Sequence, residues 1–182
     1  MKKQSKGFTL VELTVAMFVL VVAVLGGMLM ILMGVTRNNS NRVDTTATNV
    51  AQAVMEQISG APTNANPILT MTDCVQTDPA VSTLKINTAP GGAKLWSNGD
   101  INFTADAAAD LNANNYQMNF TVCANNNAQS IQTVYDVRWK IDPVGPGGWG
   151  KLVTVSARQP FVWGQTGIGN LRPVTLRTIV SM

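Results

Sequence analysis

Histidine is absent from the 182 residues, which removes together the commonest general base and the commonest zinc ligand. Only two cysteines occur, too few to build a zinc site alone. Aromatic residues make up 6% of the chain and charged residues 13%, and there is no internal repeat. A serine nucleophile would need a lysine as its base here, and no spacing pairs the two, so the chain is read as a non-enzyme. The net charge of +3 hints at an anionic partner, yet Lys2, Lys3 and Lys6 supply three of the 13 basic residues. Without them 13 − 3 = 10 basic side chains face 10 acidic ones. The basic balance therefore carries no nucleic-acid signal.

The chain does have a long apolar run. From Val15 to Val35 there are 21 consecutive residues that are apolar or glycine. As a helix rising about 1.5 Å per residue this run spans roughly 31 Å, close to the hydrocarbon thickness of a bilayer. Between Phe8 and Val35 only Thr9, Glu12 and Thr14 interrupt it. The three lysines lie in front, which holds the N-terminus in the cytoplasm and sends the chain beyond Thr36 across the membrane. A cleaved secretory signal has an apolar region of only about 7–15 residues ending in a small-x-small site; this run is longer, and no such site comes cleanly after it. An uncleaved signal anchor accommodates the run but leaves Glu12 without a reason.

The lysine-rich leader, Gly7 and the stretch Phe8-Thr9-Leu10-Val11-Glu12 ahead of an apolar helix resemble the class III signal of type IV pilins and type II secretion pseudopilins. The resemblance covers about 30 residues. It implies cleavage between Gly7 and Phe8 by prepilin peptidase and N-methylation of the new Phe8 amine, with Glu12 as fifth residue of the mature chain. It also implies that Glu12 pairs with the N-terminal amine of a neighbouring subunit during assembly. An ionised side chain at mid-bilayer costs on the order of 2.5–3.5 kcal/mol or more without a partner. The alternative is a carboxylate that simply reaches the headgroups. Gly26, Gly27 and Gly34 are weak points of the helix, open to stretching or to close packing against another helix. Many major pilins carry a proline in this part of the helix and this chain has none, which leans toward a minor pilin or a pseudopilin; a plan of one helix and an antiparallel sheet that ends in a strand resembles the PilV-like group of minor pilins.

Past the membrane run, Val43, Ala47, Val50, Ala51, Val54 and Ile58 recur at spacings of three and four, a helical stripe that Ser59-Gly60-Ala61-Pro62 stops. Period-two alternation then marks Tyr116–Cys123, Tyr135–Ile141, Lys151–Arg158 and Val174–Val180 as strands, with short ones at Thr83–Asn87 and Ile101–Thr104. The expected fold class is α+β: a pilin fold in which one N-terminal helix (about 8–59, its first half transmembrane) packs on a four-stranded antiparallel sheet. The expected divisions are a leader at 1–7, a transmembrane helix at 8–35 and an exported domain at 36–182.

The exported domain holds several further candidates. With the chain read as exported, a Cys74–Cys123 disulfide is the economical reading, worth roughly 4 kcal/mol on chain-entropy grounds; two buried free thiols are the alternative. Asp100, Asp106 and Asp110 raise a calcium loop, but lack the alternating oxygens and closing glutamate, so a solvated loop is favoured. Arg138, Lys140, Lys151 and Arg158 raise a basic strip for DNA, against which stands an ordinary solvated sheet face. Phe161 and Trp163 are candidate contacts for a partner subunit, with core burial equally open. Asn102-Phe103-Thr104 and Asn119-Phe120-Thr121 fit the glycosylation pattern, which arises readily by chance. The expected partners are other pilins or pseudopilins through the N-terminal helix, prepilin peptidase and the inner membrane. No nucleic-acid partner and no cofactor or metal are expected. The rival functions are a minor pseudopilin of a type II secretion system, a DNA-uptake or adhesive pilin, and an anchored domain unrelated to filaments.

Overall fold

The computed structural model describes residues 9–61, 67–78, 82–124, 132–145, 149–160 and 173–181, the side chains of residues 39 and 40 excepted. The chain divides into two compact units, residues 1–41 and 42–182. One helix, α1 (Leu10–Ser59, 50 residues), contributes to both.

In the first unit α1 is exposed all round, with its large apolar side chains from Leu10 to Val35 between 53% and 79% accessible. It is long and apolar enough to cross a membrane. A Cβ added at Gly26, Gly27 or Gly34 meets nothing within 4 Å, so no contact inside the chain requires glycine there.

In the second unit the stripe read from the sequence is the buried face of α1: Ala47, Val50, Ala51, Val54 and Ile58 are buried. Thr46 and Thr48 sit beside this stripe with their hydroxyls donating to the carbonyls of Arg42 and Asp44, both at 2.8 Å. Such back-bonding satisfies a threonine on a helix without a distant partner. The helix ends where Gly60 N–H closes on Glu56 O at 2.9 Å.

The stripe shares one core with an antiparallel sheet. Two short strands, β1 (Ile68–Thr70) and β2 (Lys85–Asn87), precede that sheet in the chain and pair with each other apart from it. The main sheet is built from β3 (Gly91–Gly92), β4 (Gln117–Cys123), β5 (Gln132–Val144), β6 (Gly150–Arg158) and β7 (Val174–Ser181). β5 is central, with β4 and β3 succeeding each other along one side, and β6 then β7 on the other. All four long strands read from the sequence are present, with β3 making a fifth where four were expected, and the fold is α+β as expected. The register aligns Trp139 with Val155 and Val155 with Leu176, so alternate residues of each strand form one apolar layer. Trp139 is fully buried at its centre, and its indole N–H donates to Asn87 O at 2.9 Å, meeting the need of a buried donor. Tyr116 packs beside it, ring centroids 6.4 Å apart. Tyr135, on the same face, has its hydroxyl pKa pushed up mainly by burial. β3 lies against this point through glycine: Gly92 has φ +115°, and a Cβ there would run into the Trp139 carbonyl.

Three features differ from the sequence expectation. The separate sheet of β1 and β2 is one, together with a short helix, α2 (Ala108–Ala113), ahead of β4. The segment Ile101–Thr104 is not a strand: Ile101 makes one bridge to Leu95, after which Asn102 Oδ1 accepts the backbone N–H groups of Thr104 at 2.9 Å and Ala105 at 3.1 Å. A side chain that captures neighbouring amides competes with strand pairing. Finally, the outer face of the sheet is covered at β5 rather than solvated. From Tyr135 to Trp139 every residue of β5 is buried, because the segment between β3 and β4 lies over the face opposite α1. Alternation showed that the two faces differ in chemistry, not that the second is wet.

Candidate functional site

The candidate site is the start of α1. Thr9 precedes the first helical residue, its carbonyl accepting Leu13 N–H at 3.2 Å and its hydroxyl accepting Glu12 N–H at 3.3 Å. The same hydroxyl lies 3.5 Å from Glu12 Oε2. Threonine at the cap with glutamate three residues on is the capping-box pattern, in which side chains satisfy amides that the first helical turn leaves open. The carboxylate thus sits in the first turn, at the positive end of the helix dipole. Thr14 donates to Val11 O at 2.9 Å, and Thr36 to Leu32 O and Met33 O, both at 3.0 Å. Every polar side chain from Thr9 to Thr36 therefore has a local partner, as low-dielectric surroundings demand. Gly7 and Phe8 lie outside the described residues.

Residues 2–35 match the prokaryotic N-terminal methylation motif. This segment is a type IV pilin-like signal. No curated protein and no solved structure matches the chain. The match rests on the signal and its helix alone, and that N-terminal segment fits anchoring in the inner membrane.

Elsewhere in the chain the remaining candidates separate. Cys74 and Cys123 form a disulfide, Cα atoms 5.9 Å apart. A second tie runs parallel to it. Asp73 Oδ1 accepts Val75 N–H at 2.9 Å and Gln76 N–H at 2.6 Å, while its Oδ2 accepts Thr121 N–H from β4 at 3.0 Å. The segment around Asp73 and Cys74 is thereby fixed to the outer edge of β4.

The three aspartates of the candidate calcium loop are committed to other partners or apart. Asp100 pairs with Arg177 at 3.3 Å, Asp106 with Lys94 at 3.0 Å, and Asp110 lies in α2. Among the described residues no group of acidic side chains is arranged to hold a metal. The Asp106 carboxyl lies below its ordinary pKa, chiefly because it accepts the backbone N–H of Lys94, at 2.8 Å, with the Lys94 ammonium adding to the effect.

The basic strip does not form. Arg138 is buried and holds Asp136 through a fork, Nε to Oδ1 and Nη2 to Oδ2, both at 3.1 Å. Its Nη1 donates to Phe103 O at 3.2 Å and Asp106 O at 3.1 Å. Arg158 reaches the same carboxylate at 3.3 Å. The Phe103 ring contacts both guanidiniums, 4.9 Å from Arg138 and 4.2 Å from Arg158, a cation–π arrangement. Lys140 pairs with Asp142 at 3.4 Å, and Lys151 points its ammonium at Thr88 O, 3.4 Å away. Each of these cations has an anion or a carbonyl of its own chain within reach, so they act as internal fasteners. The sequence signal for this cluster was Asp136-x-Arg138 on one strand face, legible as an ion pair rather than as a strip.

The triplet at Asn102 is folded into the turn that ends at Ala105, with Phe103 buried, and the triplet at Asn119 is part of β4. Phe161 and Trp163 lie outside the described residues.

Proposed function

We propose that the chain is a minor pilin subunit of a type IV pilus. Prepilin peptidase cleaves between Gly7 and Phe8, the Phe8 amine is methylated, and residues 8–35 hold the subunit in the inner membrane with residues 36–182 on the periplasmic side. The observation that carries this reading is the methylation motif at residues 2–35 ahead of a fully exposed apolar helix whose only charged residue, up to Val35, is Glu12 in its first turn. Lys2, Lys3 and Lys6 precede the helix and favour the orientation with the leader inside.

The geometry supports a role for Glu12. Cleavage after Gly7 creates a cationic amine two residues before the helix starts. Glu12 is held near that end by Thr9, and a neighbouring subunit's amine in a low-dielectric surrounding attracts it strongly. Pairing in one axial register then favours one stagger between subunits. The absence of proline from α1 supports a minor pilin, or equally a minor pseudopilin of a type II secretion system, over a major pilin. Internal neutralisation of Arg138 and Arg158 weighs against a DNA-uptake role for the sheet.

Mass spectrometry of the mature protein tests the processing step: the expected N-terminus is a methylated Phe8, and an intact Met1 sinks the reading. Glu12→Ala should leave membrane insertion unchanged and reduce recovery in sheared filaments at least tenfold. Wild-type recovery would refute the pairing role.

A further inference from the structure

The turn that joins Leu95 to its bridge partner Ile101 carries a chemical liability. Asn98-Gly99 is the one Asn-Gly step in the chain. Glycine leaves a preceding asparagine open to attack by its own main chain, because no Cβ screens the amide nitrogen. In that reaction the Gly99 nitrogen loses its proton and bonds to Asn98 Cγ, the Cγ–Nδ2 bond breaks, and Nδ2 departs as ammonia. Solvent water then opens the cyclic imide to aspartate or isoaspartate. Burial does not prevent it, since Trp96, Ser97 and Asn98 are exposed. The fold itself demands the glycine: Gly99 has φ +86°, and a Cβ there would fall 2.6 Å from Arg177 Nη2.

Both reacting groups are engaged. Gly99 N–H donates to Trp96 O at 2.8 Å, and Trp96 N–H to Asp100 O at 2.7 Å. The Asn98 carboxamide is pinned at both ends by one residue: Oδ1 accepts the Asp100 N–H at 3.0 Å, and Nδ2 donates to Asp100 Oδ2 at 2.7 Å. The other Asp100 oxygen accepts Arg177 Nη2 at 3.3 Å, and the same nitrogen donates to Asn98 O at 3.2 Å. The Asp100 and Arg177 side chains are 46% and 39% accessible, and an ion pair that exposed adds little to stability. We propose that Asn98-Gly99 is a latent self-modification site, and that Asp100, held by Arg177 from β7, is the positioning residue that keeps it closed. Cyclisation needs a near-attack geometry, and reaching it breaks the bond to Trp96 O and frees the carboxamide from Asp100. Conversion puts a second carboxylate beside Asp100 and removes the donor that Oδ2 accepts. The two anions then repel each other and compete for Arg177, which loosens the turn.

Incubation of the full chain in detergent, in mildly alkaline buffer with and without urea, tests this by peptide mass spectrometry that separates asparagine, aspartate and isoaspartate at position 98. The folded chain should convert at least tenfold more slowly than the urea-unfolded chain, whose turn is open. Asp100→Ala and Arg177→Ala should each raise the folded rate at least threefold at unchanged Tm. Lys140→Ala, which removes another exposed ion pair of the sheet, should leave it unchanged. Equal rates in the folded and unfolded chain overturn the inference, as do unchanged rates in the Asp100 and Arg177 variants. A Lys140 variant as fast as the Asp100 variant overturns it too, since general loosening then accounts for the effect. Asn98→Asp, which copies one product, should speed hydrogen exchange of the Trp96 amide, and unchanged exchange there refutes the loosening of the turn.

Discussion

Replacing Asp136 by alanine should be the most damaging single polar substitution in the unit spanning residues 42–182. Its side chain is 8% accessible, and that of Arg138 3%. Asp136 accepts two bonds from Arg138, one from Arg158 and one from Gln117, the last at 3.2 Å. Removal leaves one guanidinium fully buried and a second partly so, without an anion. Breaking a buried pair by deleting one partner costs about 3–5 kcal/mol, because the surviving charge stays desolvated. For a unit of this size that corresponds to a fall of roughly 6–20 °C in Tm, at about 2–4 °C per kcal/mol. Urea and thermal unfolding of the full chain in detergent, followed by near-ultraviolet dichroism with Trp139 as buried reporter, measures it. The double variant Asp136→Leu, Arg138→Met separates charge from shape. It removes both ions, loses the bonds to Phe103 O and Asp106 O at about 1 kcal/mol each, and should recover much of the loss. A single variant within about 1 kcal/mol of wild type, the error of such unfolding curves, refutes the reasoning. A double variant no better than the single one refutes it equally.

Two other perturbations probe the same unit. Replacing Cys74 and Cys123 together by serine should lower unfolding free energy by about 4 kcal/mol, while hydrogen exchange at Thr121 stays slow because Asp73 still accepts its amide; fast exchange there would show that the disulfide alone holds the loop. Asp106 has a depressed folded-state pKa, so the stability it contributes is full above the ordinary aspartate value and is lost as pH falls through the lower folded value. Asp106→Asn should flatten that acid limb of a Tm-against-pH curve, and an unchanged limb would remove Asp106 from its cause.

The sequence carried those parts of this protein whose physics is local. Helix and strand periodicities named α1 and all four long strands, because a residue's neighbours at three, four or two positions decide which side it presents. The segment that matches the methylation motif was equally legible: the lysines, Gly7, Phe8, Glu12 and the apolar run lie close together in the chain and need no fold to be read. Tertiary structure alone decided the pairings between distant parts of the chain. Asp100 and Arg177 are 77 residues apart, and Asp73 and Thr121 are 48, so no local pattern shows that one cation is neutralised or that one sheet edge is blocked. The same holds for the outer face of β5. Its alternating polar residues read as solvated because a strand's sequence reports the polarity of each face but not what covers it. Only the path of the chain between β3 and β4 turned Arg138 and Arg158 from a surface strip into the fastening of that cover, the first buried and the second partly so.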